Sequence, residues 1–313
     1  MSFEIQIALQ RLVLPAVCSL IGCYLLSKTD QAEDWYDDEP LRGIAFPTIL
    51  GALLCAIGLI CSDLWHREIL LKPNEWSSWR ASYQWNWMVW MVPGSMVLLA
   101  LARSVFTVPI HFTAMAGTAS ATLALGILYV CLSEGEVWKD QSAKLLAWMA
   151  VGGVAAVWNI ASLNSIARSD GSRWVSLIIL GQLGCVTAIA LQLYPRLGEW
   201  SMAGLGAAAG ASLVGALFCS KAKLHYGWPL STVVMPLAIM AIACLSVSHF
   251  FEAKPLPKWL IASVLFLPTL VCVVDIVVGR LMNTWLRVFL AGCICCLVLG
   301  AIFNITKPWQ LAG

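Results

Sequence analysis

The sequence predicts an all-α, polytopic integral membrane helix bundle of about ten transmembrane helices, and three observations predict it. Of 313 residues, 60% are hydrophobic and 12% charged, against about 25% charged in ordinary soluble chains. Mean hydropathy is +0.82, so lipid is the expected solvent for most of the surface. Apolar runs recur at the length of about 20 residues that one bilayer crossing demands, and those runs are poor in charge. Residues 1–313 therefore read as a single transmembrane domain, with no room for a sizeable soluble one.

The first run, near 5–26, begins Met1-Ser-Phe-Glu4. It lacks the basic n-region and small-residue cleavage pattern of a signal peptide, so it is expected to stay as a helix. Glu4, Gln6, Gln10 and Arg11 cluster toward its start, where long side chains can snorkel to water. Residues 27–43 form an acidic loop carrying Asp30, Glu33, Asp34, Asp37, Asp38 and Glu39 before a second run near 44–64.

Residues 65–83 are an aromatic-rich interfacial segment leading into the third run, near 84–103. Trp76, Trp79, Tyr83, Trp87 and Trp90 follow at spacings of three, four, four and three, which puts five rings on one helical face. An upright helix would spread them over about 21 Å, whereas one head-group layer is about 5–8 Å deep. Either the stretch to about Tyr83 lies flat and then bends, or its rings meet a protein partner, a pigment or lipid head groups.

The fourth run, near 105–132, is joined to the third by little more than Arg103-Ser104 and is rich in hydroxyls. The fifth, near 145–165, holds Asn159 and Asn164, read as interhelical hydrogen-bonding groups. The sixth and seventh lie near 173–193 and 199–219; in the latter Gly206-x-x-x-Gly210 is a pattern for close helix contact. The eighth and ninth runs lie near 229–249 and 258–279, and the ninth contains Asp275, a carboxylate that must be paired, neutral or facing water. The tenth, near 286–304, contains Cys293-Ile-Cys295-Cys296. These and the other cysteines lie in or beside apolar runs and read as packing residues, without a ligand set for a metal.

Pro15, Pro47, Pro93, Pro109, Pro236 and Pro268 fall inside or near the ends of runs, where a proline implies a local bend. Ten spans divide into two sets of five, and an odd number per set inverts the second copy, giving a 5+5 inverted repeat. Pro93 and Pro236, in the third and eighth runs, occupy matching places in that scheme. With Asp275 they mark a transport site near the midplane.

The net charge of +2 carries no basic tail and predicts no nucleic-acid partner. Ten of the 19 basic residues fall inside and nine outside when the N-terminus is placed inside, so positive charge does not set orientation. The N-inside assignment rests on the acidic loop's lack of a basic cluster, with a bacterial inner membrane as the expected location. His66, His111, His225 and His249 map to span ends or loops without metal-holding spacing, and no nucleophile-elbow, zincin or phosphate-loop motif occurs. No catalytic constellation is found, the chain is not expected to be an enzyme, and no cofactor is assigned. The first functional expectation is a non-catalytic membrane subunit or scaffold contacting lipids, pigments or other membrane subunits through aromatic and small-residue faces. The alternative is a small-solute permease with its site between two five-helix halves.

Overall fold

A computed structural model describes residues 9–32, 45–66, 86–106, 142–166, 172–193, 195–219, 229–250, 256–278 and 284–306. Among the described residues there is no strand; they form ten α-helices and two π turns. The first π turn, Leu9–Val13, leads into α1 (Leu14–Ala32); α2 (Ala45–His66), α3 (Asn86–Phe106) and α4 (Ser142–Ile166) follow. Then come α5 (Ser172–Leu193), α6 (Pro195–Leu217), the second π turn Leu230–Val234, and α7 (Met235–Phe250). The chain continues through α8 (Lys258–Leu265), α9 (Leu267–Val278) and α10 (Thr284–Thr306).

Among the described residues, four stretches are long and apolar enough to cross a bilayer: Leu9–Lys28, Trp174–Leu193, Leu197–Leu217 and Leu286–Ile305. The bent pair α8 and α9 makes five if taken as one crossing, which is consistent with a membrane protein. Four other helices carry shorter apolar stretches, Phe46–Ser62, Trp90–Ala102, Ala150–Leu163 and Thr232–Leu245. The expected third run continues through Arg103-Ser104 to Phe106 as one helix. The rest of the expected fourth run lies outside the described residues, as do most of the acidic loop and the segment 67–85.

The prolines explain the irregular turns. A proline has no N–H, and its ring collides with the carbonyl four residues back. Both π turns end two residues before one: Val13-Leu14-Pro15 and Val234-Met235-Pro236. Widening the turn relieves the collision, and at the second site the Met235 N–H donates five residues back, to Leu230 O. Pro47 and Pro195 lie in the first turn of their helices, where no N–H is required. Pro93 lies inside α3, which remains helical through it.

Helix α7 is the centre of the bundle. Every residue from Thr232 to Leu245 is buried, as befits a helix apolar all round, and α7 packs against α3, α4, α5 and α6. Helices α5 and α6 form an antiparallel hairpin, with only Tyr194 between their ends. A Cβ on Gly198 would lie 2.5 Å from Leu191 N, so the hairpin closes only because that residue is glycine.

Helix α1 is clasped on two sides by glycine. On the α2 side a Cβ on Gly22 would meet Gly51 O at 2.4 Å, and one on Gly51 would meet Gly22 O at 2.7 Å. On the α6 side Gly206 and Gly210 let the backbone carbonyls of Leu12 and Ala16 approach to 2.2 Å of where a Cβ would stand. The Gly206-x-x-x-Gly210 pattern therefore faces the chain's own first helix. Two hydroxyls of the α5–α6 hairpin bond back to their own helix: Thr187 donates to Leu183 O and Ser212 to Ala208 O, each at 2.7 Å, so neither leaves a free donor against apolar neighbours.

Candidate functional site

A cluster of buried polar side chains meets the break between α8 and α9. The two helices are bent by 67° about Phe266, whose backbone (φ −100°, ψ 18°) has left the helical region. About 12 Å of helix precede the break and about 18 Å follow it, by the rise per residue. Pro268 supplies the cause. Val264 O would accept from residue 268 in a continuous helix, and proline cannot donate. The regular ladder runs up to Phe266 N–H on Ala262 O at 2.9 Å and is present again at Leu270 N–H on Phe266 O at 2.9 Å.

Two amide side chains from neighbouring helices take up the freed carbonyls. Gln182 Nε2 of α5 donates to Val264 O at 3.0 Å and to Leu265 O at 3.2 Å. Asn159 Nδ2 of α4 donates to Leu265 O at 2.6 Å. Thr269 Oγ1 donates to Asn159 Oδ1 at 3.0 Å and lies 3.3 Å from Ser162 Oγ, which also reaches Trp158 O at 2.8 Å. Asn159 and Gln182 are 0% and 1% exposed. Because Nε2 is committed to two carbonyls, the amide orientation of Gln182 is fixed, and its Oε1 is left buried without a hydrogen-bond partner. A buried acceptor left unmet in an apolar bundle is costly, and it suits a ligand that brings a donor.

Asp275 lies elsewhere, three residues before the end of α9. It forms a bidentate ion pair with Arg287, near the start of α10, through Nε and Nη2. The pair sits on the wall of a cavity of about 280 Å³ among the ends of α4, α5, α9 and α10. Neither Pro93 nor Pro236 lines it. Those two prolines are buried, and their helices meet where α3 packs on α7 and its π turn. The three residues read as one transport site are thus not gathered in one cavity: Pro93 and Pro236 are buried on α3 and α7, and Asp275 is paired near the end of α9.

Arg11 also departs from expectation. It is 2% exposed and donates through Nη2 to Glu199 Oε2 of α6 at 3.1 Å. The reason it does not snorkel is the π turn before Pro15, which places it against α6 instead of at the helix end. Of the aromatic ladder, Trp76, Trp79 and Tyr83 lie outside the described residues, and α3 begins at Asn86, one residue before Trp87. Trp90 is 38% exposed. Among the described residues no three His, Cys, Asp or Glu side chains form a metal-holding group, and the described cysteines are free thiols.

Comparison with known proteins returns nothing: no family model, no curated protein and no solved structure matches the chain. Function therefore rests on the geometry alone. Sequence reasoning singled out Asn159 for a hydrogen bond and Pro268 for a bend, but missed Gln182, Ser162 and Thr269. The available signal was Gln182 itself, an uncharged amide set in Leu180-Gly-Gln182-Leu183 in the middle of an apolar helix.

Proposed function

We propose that the chain is a multi-pass membrane permease for a small polar solute, with the broken helix α8–α9 as its binding element. A discontinuous helix whose freed backbone faces polar side chains deep in a bundle is the arrangement by which membrane carriers build solute and ion sites. The observation that carries the reading is the Asn159–Gln182–Leu265 junction, with its unmet acceptor at Gln182 Oε1. Gln182 would accept a hydrogen bond from the solute, while Asn159 and Thr269 hold the break open. The finer scheme of ten spans in two inverted sets of five belongs to the same proposal; contact between α3 and α7, the helices of Pro93 and Pro236, supports it.

The test is uptake into proteoliposomes, challenged in turn with amino acids, sugars, nucleosides and monovalent cations. One class is expected to be carried by the native chain. Gln182→Leu should abolish that uptake while the variant stays monodisperse in detergent. Uptake of the same solute at the native rate by Gln182→Leu would remove the junction from the site.

One observation favours a second reading, a subunit of a larger membrane assembly. Only 6% of Leu286–Ile305 in α10 is buried, leaving Phe289 and Leu297 at 65% and 74% exposure. Purification in mild detergent separates the two: a stoichiometric partner that co-purifies, with no uptake of any class, supports the subunit.

A further inference from the structure

We propose that the cavity beside Asp275 and Arg287 holds one acyl chain of a zwitterionic phospholipid, with the head group seated at the ion pair. The inference requires only that the bundle lies in lipid, and it stands whether or not the chain carries a solute.

The cavity, about 280 Å³, is walled mainly by apolar groups, among them Ile178, Val271, Ala291 and Cys295; its charged groups are Asp275 and Arg287. It opens along one edge of α10, where Gly292 and Cys296 line it and are themselves exposed. Among the described residues no other element comes within 4 Å of the place a Cβ on Gly292 would take, so they leave the mouth open. A dry apolar cavity gives water too few hydrogen-bond partners to stay. An acyl chain loses nothing on entering and gains dispersion contacts with the walls. In a bilayer, acyl chains are what an apolar helix face like that of α10 meets.

The polar end selects the head group. Asp275 is three residues from the end of α9 and Arg287 three from the start of α10, about 4.5 Å inside each helix terminus. Trp174, two residues into α5, lines the same end, as tryptophan does at head-group level. The side chains of Asp275 and Arg287 are 15% and 23% exposed, so both present some surface to an occupant. A head group of net negative charge would be drawn by Arg287 and repelled by Asp275. A zwitterion answers both: its ammonium faces the carboxylate and its phosphate faces the guanidinium.

The test is native mass spectrometry of the full chain released from vesicles of equal phosphatidylethanolamine and phosphatidylglycerol. One phosphatidylethanolamine is expected to stay bound per chain, in excess over phosphatidylglycerol. Gly292→Leu places a side chain in the open mouth, and leucine is the better helix former, so folding is retained. A leucine filling the mouth should lower retention of phosphatidylethanolamine severalfold, because it takes the place where the acyl chain packs against the walls. Asp275→Asn leaves Arg287 without its counter-charge and should turn the preference toward phosphatidylglycerol. Retention in Gly292→Leu equal to the native chain, a native preference for phosphatidylglycerol, or no lipid retained by the native chain would each overturn the proposal. Solute uptake is scored separately, so loss of lipid binding with normal transport counts against this site alone.

Discussion

At the residue scale, the decisive groups are a few amides and charges set in an apolar interior. Asn159 holds both Leu265 O and Thr269 Oγ1, so Asn159→Ala removes two interhelical bonds. Such bonds are worth roughly 0.6 kcal/mol each in membranes, and a loss of about 1 kcal/mol is expected, read as a lowered unfolding midpoint in detergent. The buried charge is a larger matter. Arg11 is 2% exposed and its carboxylate partner Glu199 is 22% exposed. Removing one member of a buried pair costs up to about 3–5 kcal/mol. Glu199→Ala should therefore destabilise the chain far more than Asn159→Ala does. An equal effect of the two variants would show that Arg11 finds water without Glu199. The sequence could flag Arg11 as polar but not as buried, because its fate depends on a π turn and on a helix nearly two hundred positions away.

At the scale of elements, glycine and proline account for most of what is irregular. Gly206→Val would press a side chain onto Leu12 O, where a Cβ alone stands at 2.2 Å. Overpacking of that kind costs about 1–3 kcal/mol. Gly153 of α4 has no other element within 4 Å of the corresponding point among the described residues, so Gly153→Ala should stabilise by up to about 1 kcal/mol through helix propensity. Thermal unfolding of the two variants side by side checks both signs. Pro268→Ala restores the N–H that Val264 O lacks, so α8 and α9 should straighten from their 67° bend and Gln182 lose its acceptor. Spin-label distances across Phe266 would read the change directly. Helix positions were legible in the sequence because hydrophobic runs of bilayer length are a strong signal. The π turns and the break were not, since a proline announces a disturbance without saying whether neighbours will widen the turn or fill the gap.

At the scale of the whole molecule, the two ion pairs lie at opposite ends of the bundle. Trp174 at the start of α5 lines the Asp275–Arg287 cavity, and α5 spans about 33 Å at 1.5 Å per residue before α6 brings Glu199 to Arg11. The first pair joins adjacent helices, whereas the second ties the N-terminal helix to α6. A charge-reversed double variant, Arg11→Glu with Glu199→Arg, should recover the stability that either single change loses. Failure to recover would show that the surrounding π turn, not the pair, holds the two helices. Composition disclosed the membrane character of the chain, but not which charges meet. Asp275 stood out in the sequence and Arg287 did not, and only the packing of α9 beside α10 made them one unit.

The α5–α6 hairpin bears on how the chain is made. With one residue between Leu193 and Pro195, there is no hydrophilic loop to be pushed through the membrane between the two segments. In a bilayer, residues 172–217 would be expected to enter together, as a pair closed at Gly198. A polar insertion after Tyr194 would convert a single concerted entry into two separate ones, and would give the nascent chain an opportunity to invert everything that follows.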